Sequence, residues 1–150
     1  DQVWGEALKE PIVVDTDSPH DIFMSQVFLH TTNRPDADVV VDIRRGKLHL
    51  SSYWSCNVRG ASTGIRVSGT SELTLTDSWV CGAPGMTVVE IDTTGPVILT
   101  GNRLRASSTG VRATDRADNY IVTDNVIQCH IPLIDEGGPN KVVSNNLILP

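Results

Sequence analysis

Acidic pairs are the first chemistry to test for in this chain, which carries 18 Asp and Glu among 150 residues. Hydrolysis of a glycosidic bond uses two carboxyl groups roughly 5 to 9.5 Å apart. Asp92 and Asp115 close two related segments, "TVVEID" and "TGVRATD", and Asp124 sits inside "IVTDN". These three are the candidate catalytic residues. Asp77 holds the same place in "LTLTD" that Asp124 holds in its own segment, but Gly101 stands between them in the series. Asp115, Asp118 and Asp124 also gather along "TDRADNYIVTDN". A chain this acidic produces such coincidences by chance.

A second chemistry is stacking. Trp54, Trp79 and Arg103 recur at one place in successive segments and are the candidate glycan-binding residues, since flat rings form platforms for sugars. The other reactive side chains point to no site. Cys56, Cys81 and Cys129 are odd in number and form no CxxC, which suits buried free thiols better than a disulfide framework. Cys56 and Cys81 recur at the repeat distance and are expected to stack, while Cys129 falls one place off. His20, His30, His49 and His130 occupy unrelated phases and make no metal-ligand spacing. No metal and no cofactor are expected. The net charge of −6 argues against a nucleic-acid partner, and no apolar run is long enough for membrane insertion. The opening "DQVWGEALKE" has neither the basic flank nor the apolar core of a signal peptide.

What must position these residues is a repeat. "ILTGNRL" (98–104), "IVTDNVI" (121–127) and "VVSNNLI" (142–148) write one phrase three times, at intervals of 23 and 21 residues. Read backwards, Thr76, Ser51 and Ser25 extend the column of hydroxyl residues, so residues 11–150 divide into about six units of 21 to 26 residues. A second apolar segment recurs as "VVVDI", "TGIRV", "TVVEI", "TGVRA" and "IPLID", with "PIVVD" as a looser sixth. Val41, Ile65, Val89, Val111 and Leu133 form one apolar column, and Leu50, Leu75, Leu99, Val122 and Val143 another. Short, alternating, β-branched segments predict strands. Strands that keep residue types aligned from unit to unit predict an all-β parallel β-helix solenoid, in which each coil lies on the last. Asn102, Asn125 and Asn146 would then stack as a ladder at one corner, with the Asn residues taking the left-handed conformation that a sharp bend needs. Residues 1–10 are expected to form a cap or linker, with a short helix carrying Trp4 and Leu8.

Coils of this length with "T-x-N-x-[IL]" corners resemble the right-handed parallel β-helix superfamily of pectate-lyase-like polysaccharide enzymes and bacteriophage tailspikes. The resemblance covers residues 11–150 and lies in the coil pattern, not in a catalytic motif. Handedness is implied by the resemblance alone. It also implies what an enzyme of the lyase type would need: a Ca²⁺-binding acidic cluster with a basic residue beside it. No acidic column of three has Lys9, Lys47 or Lys141 next to it.

The outward columns separate the functional readings. Asp42, Arg66, Glu90 and Arg112 alternate in charge and read as a solvated ladder. Another outward column runs His49, Thr74, Ile98, Ile121, Val142, and the one past the corner runs Trp54, Trp79, Arg103, Val126, Leu147. Ile98, Ile121, Val142, Val126 and Leu147 are the candidate oligomer-interface residues, because a lone solenoid would expose them to water. Nothing follows "VVSNNLILP" to cover the last coil, which predicts a continuing chain or a covering partner. The leading expectation is a structural, receptor-engaging module of a tailspike-like protein: a homotrimer at a virion tail or otherwise extracellular, recognising a surface polysaccharide. The alternatives are a polysaccharide lyase or glycoside hydrolase, and a purely structural virion or adhesin β-helix.

Overall fold

A computed structural model describes residues 3–6, 12–30, 38–56 and 60–150. Three strands make a coil. The first stack consists of β2 (Ile12–Asp15), β5 (Val39–Arg45), β8 (Thr63–Gly69) and β11 (Thr87–Thr93), and continues into the later parts of β13 (Arg103–Ala113) and β15 (Val126–Asp135). The second is a separate six-stranded sheet. It is built from β3 (Asp21–Ser25), β6 (Lys47–Ser51), β9 (Glu72–Thr76), β12 (Val97–Thr100), β14 (Tyr120–Thr123) and β16 (Lys141–Ser144). The third holds β1 (Val3–Glu6), β4 (Val27–His30), β7 (Trp54–Cys56) and β10 (Trp79–Cys81), then the opening parts of β13 and β15, then β17 (Leu147–Leu149). Every pairing among the described residues is parallel, and the result is an all-β solenoid of about five turns, close to the six coils expected.

Alternation builds the core. In β6 and β9 alternate residues are buried, which places Leu48, Leu50, Leu73 and Leu75 inside. Neighbouring coils align like with like: Val41 pairs with Ile65, Ile65 with Val89 and Val89 with Val111, all fully buried. Truncating one such leucine to alanine typically costs about 2–5 kcal/mol. On the last coil the same columns emerge. Val143 is 39% exposed and Ile148 49%, because among the described residues no further strand lies on β16 or β17.

The corner between the second and third stacks differs in one respect from expectation. The left-handed residue is the one before the Asn. Gln26, Ser52, Asp77, Gly101, Asp124 and Asn145 all have φ between +49° and +68°. They form one column, with a residue turned inward after each. The inward residues carry the ladder. Asn102 N–H donates to Asn125 Oδ1 and Asn125 N–H to Asn146 Oδ1, both at 3.0 Å. Each amide group also donates back to the preceding coil, Asn102 to Leu75 O and Asn125 to Leu99 O. The inward position suits Asn because its amide both accepts and donates, satisfying buried backbone groups at the bend. Ser78 prolongs the series: its N–H donates to Asn102 Oδ1, and its Oγ accepts from Tyr53 N–H.

The N-terminal region also departs from expectation. Residues 3–6, expected to be helical, form β1, which pairs Val3 with Val27 and Gly5 with Leu29. The apolar edge of β4 offers a register that a four-residue extended segment can join, which local helix propensity does not outweigh. Leu8, Lys9 and the excursion at 31–37 lie outside the described residues. At the opposite corner, glycine is required by space. A Cβ on Gly110 would lie 2.6 Å from Pro132 O, where β13 bends from the third stack to the first.

Candidate ligand-binding groove

The outer face of the third stack changes character along the solenoid. Register aligns Phe28 with Trp54, Trp54 with Trp79, Trp79 with Arg103, Arg103 with Val126 and Val126 with Leu147. The rings interact in sequence. Phe28 and Trp54 lie 5.6 Å apart, tilted, and Trp54 meets Trp79 edge-on at 6.3 Å. The Arg103 guanidinium caps the series 5.2 Å from the Trp79 centroid, a cation–π contact. Trp79 nonetheless stays 39% exposed.

Beside these rings runs a groove of about 1010 Å³. It opens where the chain leaves the solenoid after the three-residue strand β10, whereas β13 and β15 continue round the same corner unbroken. Gly82, Ala83 and Pro84 form one wall, with the Gly82 N–H donating to Arg105 O at 2.7 Å and Met86 fully buried beneath. The floor is the column two residues past the rings: Cys81, Arg105 and Gln128 in register. Cys56 joins it, since Val80 pairs with Ser55 immediately before. Ala106, Cys129, His130 and Pro150 also line the groove. Among the described residues, no Asp or Glu side chain lines it.

All three thiols are free and border this space. Burial pushes each above its ordinary value; at Cys81 the nearby Arg105 and Arg103 charges pull the other way without overcoming it. They are neutral, weakly nucleophilic groups at neutral pH. Among the described residues no three His, Cys, Asp or Glu side chains gather to hold a metal ion.

The acidic candidates are dispersed. Asp92, at the end of β11, accepts hydrogen bonds from Thr114 Oγ1 at 2.7 Å and Arg116 Nη1 at 3.5 Å. Asp115 is exposed in the turn that follows β13. Asp124 is the left-handed residue of the opposite corner, between the second and third stacks. Lys141 does have an acidic neighbour, Asp135 at 2.7 Å, which also accepts from Tyr120 Oη. Burial raises the Asp135 carboxyl, but Lys141, Tyr120 and the Gly137 N–H outweigh it and hold it below the ordinary range. That is a satisfied clasp on the last coil, with its charge already neutralised.

Of the interface candidates, Ile98, Ile121 and Val142 align on the outer face of the second sheet. Ile121 is 39% and Val142 51% exposed, and Phe23 on the same column, stacked on His49, is 74% exposed. Val126 and Leu147 instead lie on the third stack beyond Arg103. The groove residues missing from the sequence reading are Arg105, Gln128, His130 and the 82–84 wall. Their signal was present: the Cys56, Cys81 column continues directly into Arg105 and Gln128.

The fold defines the class of protein, a parallel β-solenoid. Comparison with protein families, with curated proteins and with solved structures finds no match for this chain.

Proposed function

We propose that this solenoid is a structural and receptor-engaging module of the tailspike kind, which recognises a surface glycan without cleaving it. The observation that carries the reading is the groove itself. It pairs half-exposed indole rings at Trp54 and Trp79 with polar groups at Arg105, Gln128 and His130. Exposed indole surface beside a few converging polar groups is what a sugar ring, apolar on its faces and hydroxylated at its edge, requires. The dispersal of Asp92, Asp115 and Asp124, and the neutral thiols, support recognition over hydrolysis. The outer apolar column of the second sheet supports assembly as a homotrimer, each copy covering the Ile98, Ile121, Val142 face of another, at a virion tail or elsewhere outside the cell.

Titration of a glycan library against intrinsic tryptophan fluorescence tests the reading. A bound glycan should perturb the emission, and Trp79→Ala should weaken binding about tenfold, consistent with roughly 1–3 kcal/mol for an aromatic stacking contact. Light scattering should give three times the chain mass. A library without a single binder would remove the glycan reading, and a monomer would remove the trimer.

A further inference from the structure

The distribution of positive charge goes one step further than the shape of the groove. Nine of the twelve Lys and Arg residues are described. Seven of them have a carboxylate within 4.0 Å. The two that do not, among the described residues, are Arg103 and Arg105. They stand two residues apart on β13, so alternation sends both outward on one face. One caps Trp79 and the other lines the groove. In a chain of net charge −6, the described cations left without an acidic partner among the described residues are gathered on one face, beside a groove that no Asp or Glu side chain of the described residues lines.

Resting on the glycan reading, we infer that the saccharide taken by this groove is anionic, with a carboxylate or phosphate group held by Arg105 and Arg103 while a sugar face packs on Trp79. Guanidinium presents paired donors that match both oxyanions. A guanidinium already held against an indole ring gives up less side-chain freedom on binding. A nucleic acid also combines stacking bases with phosphates, but the rest of this acidic surface would repel a long polyanion. A short pendant charge within the groove avoids that repulsion.

Isothermal titration of the full chain should use four probes of similar length: a glucuronate-bearing oligosaccharide, a sugar-phosphate oligomer, a neutral glucose oligosaccharide and an oligothymidylate. We expect one anionic saccharide to bind at least tenfold more tightly than the neutral one. Raising salt should erase that preference, as should Arg105→Gln, with Arg103→Gln as the second variant and an unchanged melting curve as the control for folding. Which anionic probe wins assigns carboxylate or phosphate. Equal binding of the neutral and anionic sugars, unmoved by salt or by either substitution, overturns the anionic inference and leaves glycan recognition standing. Tightest binding of the oligothymidylate overturns a saccharide ligand, and binding of none of the sugars removes the glycan reading together with this one.

Discussion

The first and third stacks share coil spacing, strand direction and one continuous sheet, yet they treat arginine in opposite ways. On the first, Arg66 bonds Asp42 through both Nε and Nη2 at 3.3 Å, Arg44 donates to the same carboxylate at 2.8 Å, and Arg112 lies 4.0 Å from Glu90. Asp42 is only 2% exposed. Burial pushes its carboxyl up, but Arg66 and Arg44 outweigh that and hold it below its ordinary value. On the third stack, Arg103 and Arg105 meet rings and open space. Charge that neighbouring coils already satisfy belongs to the structure. Charge left open beside aromatic rings is available to a ligand.

The comparison can be broken at either side, and the largest effect is expected on the first stack. Asp42→Ala removes the buried carboxylate that Arg44 and Arg66 share. The two guanidinium groups left behind are themselves 55% and 36% exposed, so the cost should be about 2 kcal/mol, that of hydrogen bonds to a charged group. Urea denaturation would show this as a lower midpoint at unchanged slope. A change below about 1 kcal/mol would mean that Asp42 is solvated after all.

A smaller effect should follow from pH. A carboxyl whose folded pKa is depressed contributes stability above its unfolded value, and that contribution is lost as pH falls through the folded pKa. Both Asp42 and Asp135 are of this kind, with an ordinary value of 3.8. The melting temperature should therefore hold steady well above about pH 4 and drop progressively below it. Asp42→Asn should flatten part of that drop, whereas Arg105→Gln should leave the profile unchanged.

The second sheet offers a control that involves neither set of arginines. Ile121→Lys places a charge at the middle of the Ile98, Val142 column and should convert the proposed trimer to monomer in light scattering while the circular dichroism of the solenoid persists. The smallest effect belongs to the groove. Arg105→Gln should change stability by no more than about 0.5 kcal/mol, as surface substitutions do. A cost several times larger would make Arg105 a structural residue and erase its contrast with Arg66.

Much of the fold was legible because a solenoid is nearly one-dimensional. Each coil contacts its neighbours, so equal positions stack and a column read from spacing becomes a column in space. The alignment of Thr100 with Thr123, Ile98 with Ile121 and Trp54 with Trp79 follows from counting residues. The ladder of Asn102, Asn125 and Asn146 follows the same count. Which residue of the corner bends backward did not follow. Both Asp124 and Asn125 tolerate the left-handed region, and only the buried carbonyl of Leu99, 2.9 Å from the Asn125 amide, decides which of them turns inward. Residues 3–6 went astray for a similar reason: an exposed strand edge on β4 recruits them, and no local signal announces that edge.

By itself, then, the sequence determined the parallel coils, their number to within about one, the core columns and the outward charge alternation, because all of these are properties of spacing. Only the tertiary structure decided the groove. It depends on a departure from the repeat, the 82–84 segment leaving the corner where β13 and β15 run through. It also depends on which charges find partners across coils, since Arg66 and Arg105 look alike as letters, yet among the described residues only Arg66 has a carboxylate within reach.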